Sequence, residues 1–366
     1  MAGFRRTVEI ATLTAPTLAQ TRKYPKGKKN MRVPGYLATL AGILILAAIG
    51  LAPQASLAAT PPEAGEIRQA KAILVTGASS GIGLNIAETL ARKGYFVYAG
   101  ARKQADLDAL NKIPNIQAVR LDVTKQDEID AAVATVRTEG RGLYGLINNA
   151  GVATLGPLAE IDEAELTWIF DVNVLGVYRV TKGFAPLIIE SKGRIINISS
   201  ISGVLSGMFW GPYGMTKHAL EAYTDALAEE MALFDVQVSA VNPGNYRSRI
   251  GTKEAVTLAK QPYAQPGSPY AGPLKEYIEY LSDRSMYKEP DEVSAAIMHA
   301  LFDPVPKPNY LVVPNEKEAG WTIRKIIEEM AELNADQPYA YTDEQLIEMV
   351  KEATAAQRAR ASRDEP

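Results

Sequence analysis

Short apolar runs alternate with segments of helical periodicity along most of the chain. The first run covers residues 72–75 in "KAILVTGASSGIG", and a glycine-rich turn separates it from the helical pattern "LNIAETLARKG", which ends at Gly94. A continuous apolar run of this length is typical of a strand buried on both faces of a parallel sheet.

The alternation continues towards the C-terminus. Further strands are predicted at "YFVYAG", "IQAVRLDV", "LYGLINNAG", "GRIINISS", "VQVSAVNPG" and "NYLVVP", with helical stretches such as "EAELTWIFDVNVLGVYRVTKGFAPLIIES" and "KHALEAYTDALAEEMALF" between them. This order predicts an α/β fold with a doubly wound, Rossmann-type parallel sheet. Ligands bind such sheets beyond the carboxyl ends of the strands, where Asp122, Asn148, Ser200 and Pro243 fall.

The N-terminal segment, residues 1–66, lies outside this alternation. A basic stretch is followed by an uncharged apolar run at residues 36–52 and by small residues, with Ser56 and Ala58 suited to a cleavage site. This pattern predicts a secretory signal, or an uncleaved membrane anchor, and then a linker. We therefore expect an exported or membrane-tethered protein. It would be cytoplasmic if the anchor faces inwards or if translation starts at Met31.

The remaining chain divides into two parts. We expect a Rossmann-type domain over residues 67–314 and a helical C-terminal extension over residues 315–366. The extension shows helical patterns at "EAGWTIRKIIEEMAELN" and "TDEQLIEMVKEATAAQRARA". It would cover either the ligand pocket or a subunit interface, or fray into solvent at its charged end.

Composition excludes several classes of function. The formal charge is −3, from 39 basic and 42 acidic residues, and this near balance gives no reason to expect a nucleic-acid partner. The absence of cysteine excludes disulfides and thiolate chemistry. The chain has only two histidines, His218 and His299, so we do not expect a metal site.

The glycine-rich turn is a candidate phosphate site. Gly77, Gly81 and Gly83 would let the backbone approach a pyrophosphate at the positive end of the following helix. Their spacing is G-x-x-x-G-x-G rather than the common G-x-G-x-x-G. A purely structural turn would look similar, but a strand before it and a helix after it favour dinucleotide binding.

The end of the second predicted strand indicates which nicotinamide cofactor binds. Sites that accept NAD usually place an acid there for the ribose hydroxyls. This chain has Ala101 and then Arg102 and Lys103, two cations that could pair with a 2′-phosphate. Two ordinary surface cations would give the same pattern. We expect NADP, with NAD possible.

Tyr213 and Lys217, in "YGMTK", are four residues apart and would share one face of a helix. A surface tyrosine and a solvated lysine are the plain interpretation. The alternative is a phenol whose pKa is lowered by the neighbouring charge, so that it exchanges a proton near neutral pH.

"TGASSGIG", "NNAG", "NISS", "YGMTK" and "NPG" occur in the order and spacing of the short-chain dehydrogenases/reductases, which the chain resembles over about residues 70–250. The resemblance implies that Tyr213 is the general acid/base and that Lys217 binds the ribose and lowers the tyrosine pKa. It implies that Ser200 hydrogen-bonds the substrate oxygen and that Asn173 holds a water beside the lysine. Ser248 stands where the family often has a threonine for the carboxamide.

The resemblance also implies a set of cofactor-binding residues. Apart from Tyr213 and Lys217, they are Thr76, Gly77, Ser79, Ser80, Gly81, Ile82, Gly83, Arg102, Lys103, Asp122, Val123, Asn149, Ala150, Gly151, Pro243, Gly244 and Ser248. Two of the implied site residues have structural alternatives: the catalytic Ser200 could cap backbone at a strand end, and Asp122 could cap the following helix.

The substrate segment is expected at residues 245–289, rich in Pro, Tyr and Gly, with Met208, Phe209 and Trp210 as an apolar wall or as ordinary packing. The chain is most similar to the retinol, hydroxysteroid and hydroxybutyrate dehydrogenase branch. That similarity implies a lipophilic secondary alcohol, ketone or aldehyde and a homodimer or homotetramer. The alternative to an NADP-dependent oxidoreductase is an NADP-binding regulator or scaffold without turnover.

Overall fold

The computed structural model describes residues 71–248, 250–283 and 285–361. The predicted signal or anchor segment, the linker up to residue 66 and the last five residues of the chain lie outside the described residues.

The core of the domain is one parallel sheet of seven strands, which confirms the predicted fold class. The strands are β1 Ala72–Val75, β2 Phe96–Ala101, β3 Ile116–Arg120, β4 Gly145–Asn148, β5 Arg194–Ile198, β6 Gln237–Pro243 and β7 Asn309–Val312. Their order is β3-β2-β1-β4-β5-β6-β7, with every neighbouring pair parallel. The strand order reverses between β1 and β4, and ligands bind such sheets at this switch point.

Helices flank the sheet and continue beyond it. They are α1 Gly81–Arg92, α2 Gln104–Leu110, α3 Gln126–Glu139, α4 Glu163–Phe170, α5 Gly176–Glu190, α6 Gly211–Ala232, α7 Ile250–Leu258, α8 Ala271–Ser282, α9 Asp291–Phe302, α10 Glu316–Asn334 and α11 Asp343–Ala361. A π-helical turn, Asp171–Leu175, joins α4 to α5. Short 3₁₀ turns occur at Ile201–Gly203 and Pro262–Ala264.

Alternate residues of β1 face two separate cores. Ile73 and Val75 belong to the core that contains residues of α1 and α9, whereas Ala72 and Leu74 belong to the core that contains residues of α3, α5 and α6. All four residues are buried. This burial on both faces explains why the strand is a continuous apolar run.

The segment between β6 and α9 forms a third, smaller core beside the sheet. Leu258 of α7 and Leu274 and Leu281 of α8 pack there with Leu155, from the loop after β4, and Phe209, from the segment before α6. The predicted substrate segment is therefore a packed unit that bounds the carboxyl end of the sheet.

One continuous helical stretch among the described residues, Glu163–Glu190, is long and apolar enough to cross a membrane. Half of its most apolar window is buried inside the domain. Phe184 and Ile188, for example, lie in the core between α5 and the sheet. The stretch therefore has the character of a core helix.

Candidate active site

A cleft of about 960 Å³ opens at the carboxyl ends of the strands. This volume is near the upper end of the range for ligand pockets, roughly 300–1,000 Å³. Most of the sequence-predicted site residues form its wall: Gly77, Ser79, Ser80, Gly81, Ile82, Gly83, Arg102, Asp122, Val123, Asn149, Ala150, Gly151, Ser200, Tyr213, Lys217, Pro243, Gly244 and Ser248. Thr76, Lys103 and Asn173 are not part of the wall.

The glycine-rich turn is shaped by close backbone approaches. Gly77 and Gly81 have φ angles of +66° and +57°, in the left-handed region that favours glycine. A Cβ on Gly83 would lie 2.3 Å from Asn149 Nδ2 and 2.5 Å from the Gly77 oxygen. The turn therefore needs glycine at these positions.

Thr76 supports the turn from behind. Its side chain is buried, and its Oγ1 accepts hydrogen bonds from the backbone N–H groups of Asn149, at 3.0 Å, and Ala150, at 2.9 Å. Asn149 Nδ2 in turn donates to the Thr76 oxygen at 2.9 Å. These hydrogen bonds connect the end of β1 to the "NNAG" loop. Thr76 therefore positions the loop and does not itself line the cleft.

Arg102 and Asp122 stand together where β2 and β3 end. Arg102 Nη1 lies 3.7 Å from Asp122 Oδ2. Burial acts to raise the pKa of Asp122, but hydrogen bonds from Thr124 and the Arg102 charge hold it below its usual value. Lys103 is the residue just before α2, at its N-cap position, and lies away from the cleft wall. Of the two expected cations, only Arg102 is at the cleft.

Tyr213, Lys217 and Ser200 meet where β5 ends and α6 begins. The Ser200 hydroxyl and the Tyr213 phenol are hydrogen-bonded. Lys217 is buried, with its Nζ 5.6 Å from the centre of the Tyr213 ring, and donates to the Ile198 oxygen at 2.9 Å. Ser200 Oγ also accepts a hydrogen bond from the Ser202 N–H at 3.1 Å. Ser200 therefore caps backbone at the strand end, as one interpretation expected, and also lines the cleft.

The expected direction of the tyrosine pKa shift is wrong for this structure. Burial raises the pKa of Tyr213 to about 12, although the hydrogen bond with Ser200 acts to lower it. Burial also lowers the pKa of Lys217 to about 8, against the opposing charge of Glu221. The removal of both groups from water outweighs the attraction between the ammonium and a phenolate.

Asn173 lies in the π-helical turn and is buried behind the wall. Its Oδ1 accepts from the Val152 N–H at 2.9 Å, while its Nδ2 donates to the Val152 oxygen at 2.9 Å and to Thr216 Oγ1 at 3.1 Å. Thr216 Oγ1 itself donates to the Tyr213 oxygen. Asn173 thus connects the loop after β4 to the first turns of α6, which explains why an asparagine, a poor helix former, occupies this helical position.

Several wall residues were not predicted from the sequence. α8 contributes Tyr277 and Tyr280, and α7 contributes the buried carboxyl of Glu254. Of the three residues expected as an apolar wall, Trp210 lines the cleft, whereas Phe209 is buried in the third core and Met208 is largely exposed.

One face of α10 also lines the cleft: Trp321, Arg324, Lys325 and Glu328. These residues have the spacing i, i+3, i+4 and i+7, which places them along a single helix flank. The buried Glu318 joins the start of this helix to the rest of the site, because its Oε2 accepts from the Asn245 N–H at 2.8 Å. The position of α10 agrees with one of the uses expected for the C-terminal extension, that of covering the pocket.

The family model for short chain dehydrogenases matches residues 71–257, slightly more than half of the chain. The chain belongs to the short chain dehydrogenase family. The family expected from the sequence motifs is therefore confirmed.

The related dehydrogenases belong to the predicted branch. Bovine mitochondrial D-beta-hydroxybutyrate dehydrogenase is 38% identical over 187 residues, which cover 48% of this chain and 54% of that protein. The chain thus spans about half the length of the hydroxybutyrate dehydrogenases that it matches. Mouse retinol dehydrogenase 16 is 32% identical over 266 residues, covering 69% of this chain and 81% of that protein.

Solved structures of short chain dehydrogenases have the same fold. A short-chain dehydrogenase from Streptomyces avermitilis is 30% identical, with a TM-score of 0.60, and the match covers 72% of this chain and 94% of that one. The actinorhodin polyketide ketoreductase with NADPH is 28% identical, with a TM-score of 0.56, and the match covers 67% of this chain and 95% of that one.

The buried ammonium of this short chain dehydrogenase should be visible in the pH dependence of stability. The folded-state pKa of Lys217, about 8, lies below the ordinary value of 10.5, so the unfolded chain binds the proton more tightly between these two values. Compared with Lys217→Met, the wild type should therefore gain stability as pH rises from about 7 to about 10, by about 2–3 kcal/mol. Urea unfolding of both proteins at the two pH values measures this difference. If the free energy of unfolding changes equally with pH in the two proteins, the low folded-state pKa of Lys217 is contradicted.

Proposed function

We propose that the protein is an NADP(H)-dependent oxidoreductase that interconverts a secondary alcohol and a ketone, or an aldehyde, on a lipophilic substrate. One observation carries this proposal: Tyr213, Ser200 and Lys217 share a single cleft with the glycine-rich turn. The described residues fit a dinucleotide, because the glycine-rich turn lines the cleft where α1 begins and a Cβ at Gly77 or Gly83 would clash with neighbouring atoms.

In the proposed reaction, Tyr213 manages the proton at the substrate oxygen. With a pKa of about 12, the phenol is protonated at neutral pH and can donate to a carbonyl oxygen. Ser200, already hydrogen-bonded to the phenol, orients the same oxygen. The nicotinamide cofactor supplies the hydride in the reductive direction when it is bound.

Lys217 and Asn173 support Tyr213 and Ser200 in this reaction. The Lys217 ammonium, fixed by the Ile198 oxygen, stabilises negative charge that develops on the phenol and is placed to bind ribose hydroxyls. Asn173 positions the start of α6 through Val152 and Thr216. Its predicted role of holding a water beside the lysine stays a prediction.

The Tyr213→Phe substitution should lower kcat for ketone reduction by about 10²–10⁴-fold, because it removes the proton donor and little else. Loss of NADPH absorbance with a panel of lipophilic ketones measures the rate. Tyr223→Phe is the matched control, since Tyr223 lies on the same helix and bonds to Thr181, away from the cleft wall. Tight NADPH binding by the wild type without turnover of any ketone would instead support the regulator or scaffold.

The proposed preference for NADP is inferred from the residues that follow β2. Arg102 is the cation that the cleft wall offers there, and no acidic residue follows β2 directly. The guanidinium is more than half exposed and only loosely paired with Asp122, so it is available to a 2′-phosphate. Complexes with NADPH are known for the ketoreductase described above and for the L-sorbose reductase of Gluconobacter frateurii, which is 25% identical with a TM-score of 0.55.

Arg102→Ala should raise KM for NADPH about ten- to a hundredfold, the loss of one charge-assisted contact, and leave KM for NADH nearly unchanged. Lys103→Ala is the matched control and should change neither value much, since Lys103 lies off the cleft wall. Steady-state kinetics with both cofactors measure the effect. An equal rise for NADPH and NADH would contradict the assignment of Arg102 to the phosphate.

The lipophilic character of the substrate is supported by the aromatic residues of the cleft. The rings of Trp210 and Tyr213 lie in an edge arrangement with centroids 5.4 Å apart, and Tyr277 stands at right angles to Trp210. Trp168 and Trp321 also line the cleft. These rings offer apolar area to a hydrocarbon, while the polar groups beside the phenol fix the reacting oxygen.

We also propose a homodimer or homotetramer in which the helical stretch around Asn173 and the helix after Tyr213 pair between subunits. Leu175, Tyr178 and Met215 on these elements are each more than two-fifths exposed, although they are large and apolar. Light scattering measures the mass of the assembly. A monomer at micromolar concentration would contradict this pairing.

The proposed domain order places a signal or anchor in residues 1–66, a catalytic domain in residues 67–314 and a helical extension after it. Export or tethering through residues 36–52 remains part of the proposal, and these residues lie outside the described part of the chain. Mass determination of the mature N-terminus after cell fractionation tests it. A mature protein in the soluble cytoplasmic fraction that still begins at Met1 would contradict it.

A further inference from the structure

One carboxyl group of the cleft wall is buried beside the third core. Glu254 of α7 is 8% exposed and belongs to the cleft wall. Its helix neighbours Ala255 and Leu258 pack in the third core with Phe209 and Tyr263. Glutamate is almost never buried this far unless it has a partner. Glu254 forms no salt bridge with any residue that the structure describes.

The two oxygens of Glu254 have different surroundings. Oε1 accepts a hydrogen bond from the Leu155 N–H at 3.0 Å. Oε2 has no hydrogen-bond partner among the described groups. It nevertheless keeps some exposed surface, unlike the fully buried unpaired atoms elsewhere in the described residues. Because Glu254 is buried except where it forms the cleft wall, this oxygen is reached from the cleft.

The surroundings of Glu254 allow its carboxyl to exist in both protonation states near neutral pH. Burial raises the pKa of Glu254 to about 7, the Leu155 hydrogen bond opposes this rise, and the charge of Glu165 on α4 adds to it. Burial raises the pKa of Tyr263 as well, and the charges of Glu165, Glu254 and Glu160 add to that rise. Near neutral pH the carboxyl can therefore both accept and donate a hydrogen bond.

We propose that Glu254 binds a hydroxyl group of the substrate, so that the preferred substrate is a lipophilic carbonyl compound or alcohol with a second hydroxyl remote from the reacting carbon. In this arrangement the aromatic residues Trp210 and Tyr277 contact the hydrocarbon part of the substrate, which lies between the reacting oxygen and the second hydroxyl. This inference rests on the proposed oxidoreductase function of the same cleft. It narrows the substrate class from lipophilic to amphipathic.

The test uses pairs of straight-chain methyl ketones of several lengths, each pair differing only in a terminal hydroxyl. Wild-type protein, with NADPH, should reduce the hydroxylated member of the best pair with a kcat/KM about ten- to a hundredfold higher. Glu254→Met, which keeps the length of the side chain but loses the carboxyl, should bring this ratio close to one. Glu276→Gln, which alters an exposed carboxyl of α8 that does not line the cleft, should keep the preference.

Glu254→Gln separates substrate binding from a purely structural role. The amide oxygen can still accept from the Leu155 N–H, so the loop should be retained, and thermal unfolding and NADPH binding verify the fold of every variant. In the wild type the preference should increase as pH rises through about 7, because a carboxylate binds a hydroxyl more strongly than a neutral carboxyl does. In Glu254→Gln the ratio should not change with pH.

The outcomes separate this inference from the function on which it rests. If the wild type reduces both members of every pair at the same kcat/KM, the inference is overturned while the oxidoreductase function stands. If Glu254→Met slows both members equally, Glu254 only tethers the Leu155 loop, and the inference is again overturned. If no ketone is reduced at all, the proposed function fails and the inference fails with it.

Discussion

The site depends on a lysine ammonium that is held inside the protein at the junction of β5 and α6. Lys217 is 6% exposed, and a charge in such a place is costly unless it is hydrogen-bonded. The Ile198 oxygen at the end of β5 provides that bond. Since Ser200 follows two residues later and Tyr213 stands one helical turn before Lys217, the same contact fixes the serine, the phenol and the ammonium relative to one another.

The surrounding structure supports this junction through ties between separate elements. Asn173 connects the loop after β4 to Thr216 on α6, and Thr76 connects β1 to the backbone of that same loop. Glu318 links α10 to the turn after β6. Each tie joins residues that are far apart in sequence. The cleft is therefore a rigid assembly of strand ends rather than a property of one motif.

Local patterns predicted the sheet, and the resemblance of the motifs to a known family predicted part of the cleft wall. A strand buried on both faces is a continuous apolar run, and the glycines of the turn are needed for backbone geometry, so both are visible in a few consecutive residues. The motif positions then follow the carboxyl ends of the strands. Tyr213, Lys217 and Ser200 are singled out by the resemblance of these motifs to the short-chain dehydrogenases/reductases.

What sequence could not predict depends on tertiary surroundings. Lys103 follows Arg102 directly, yet only one of the two faces the cleft, because α2 begins after Lys103. The expected fall in the pKa of Tyr213 ignored burial, which acts in the opposite direction. Glu254 belongs to no motif, and its importance arises only from burial beside Leu155. The face of α10 has an amphipathic signal, but nothing in its pattern indicates the cleft as its partner.

The most direct test of the account is a single-turnover measurement with enzyme in excess over NADPH and a saturating lipophilic ketone. Stopped-flow absorbance would follow the bound cofactor, while fluorescence would report its binding. The account predicts that the wild type oxidises the bound NADPH completely and that Tyr213→Phe binds it equally well but oxidises it far more slowly. Equal rates in the two proteins, or binding by the wild type without any oxidation, would contradict the account.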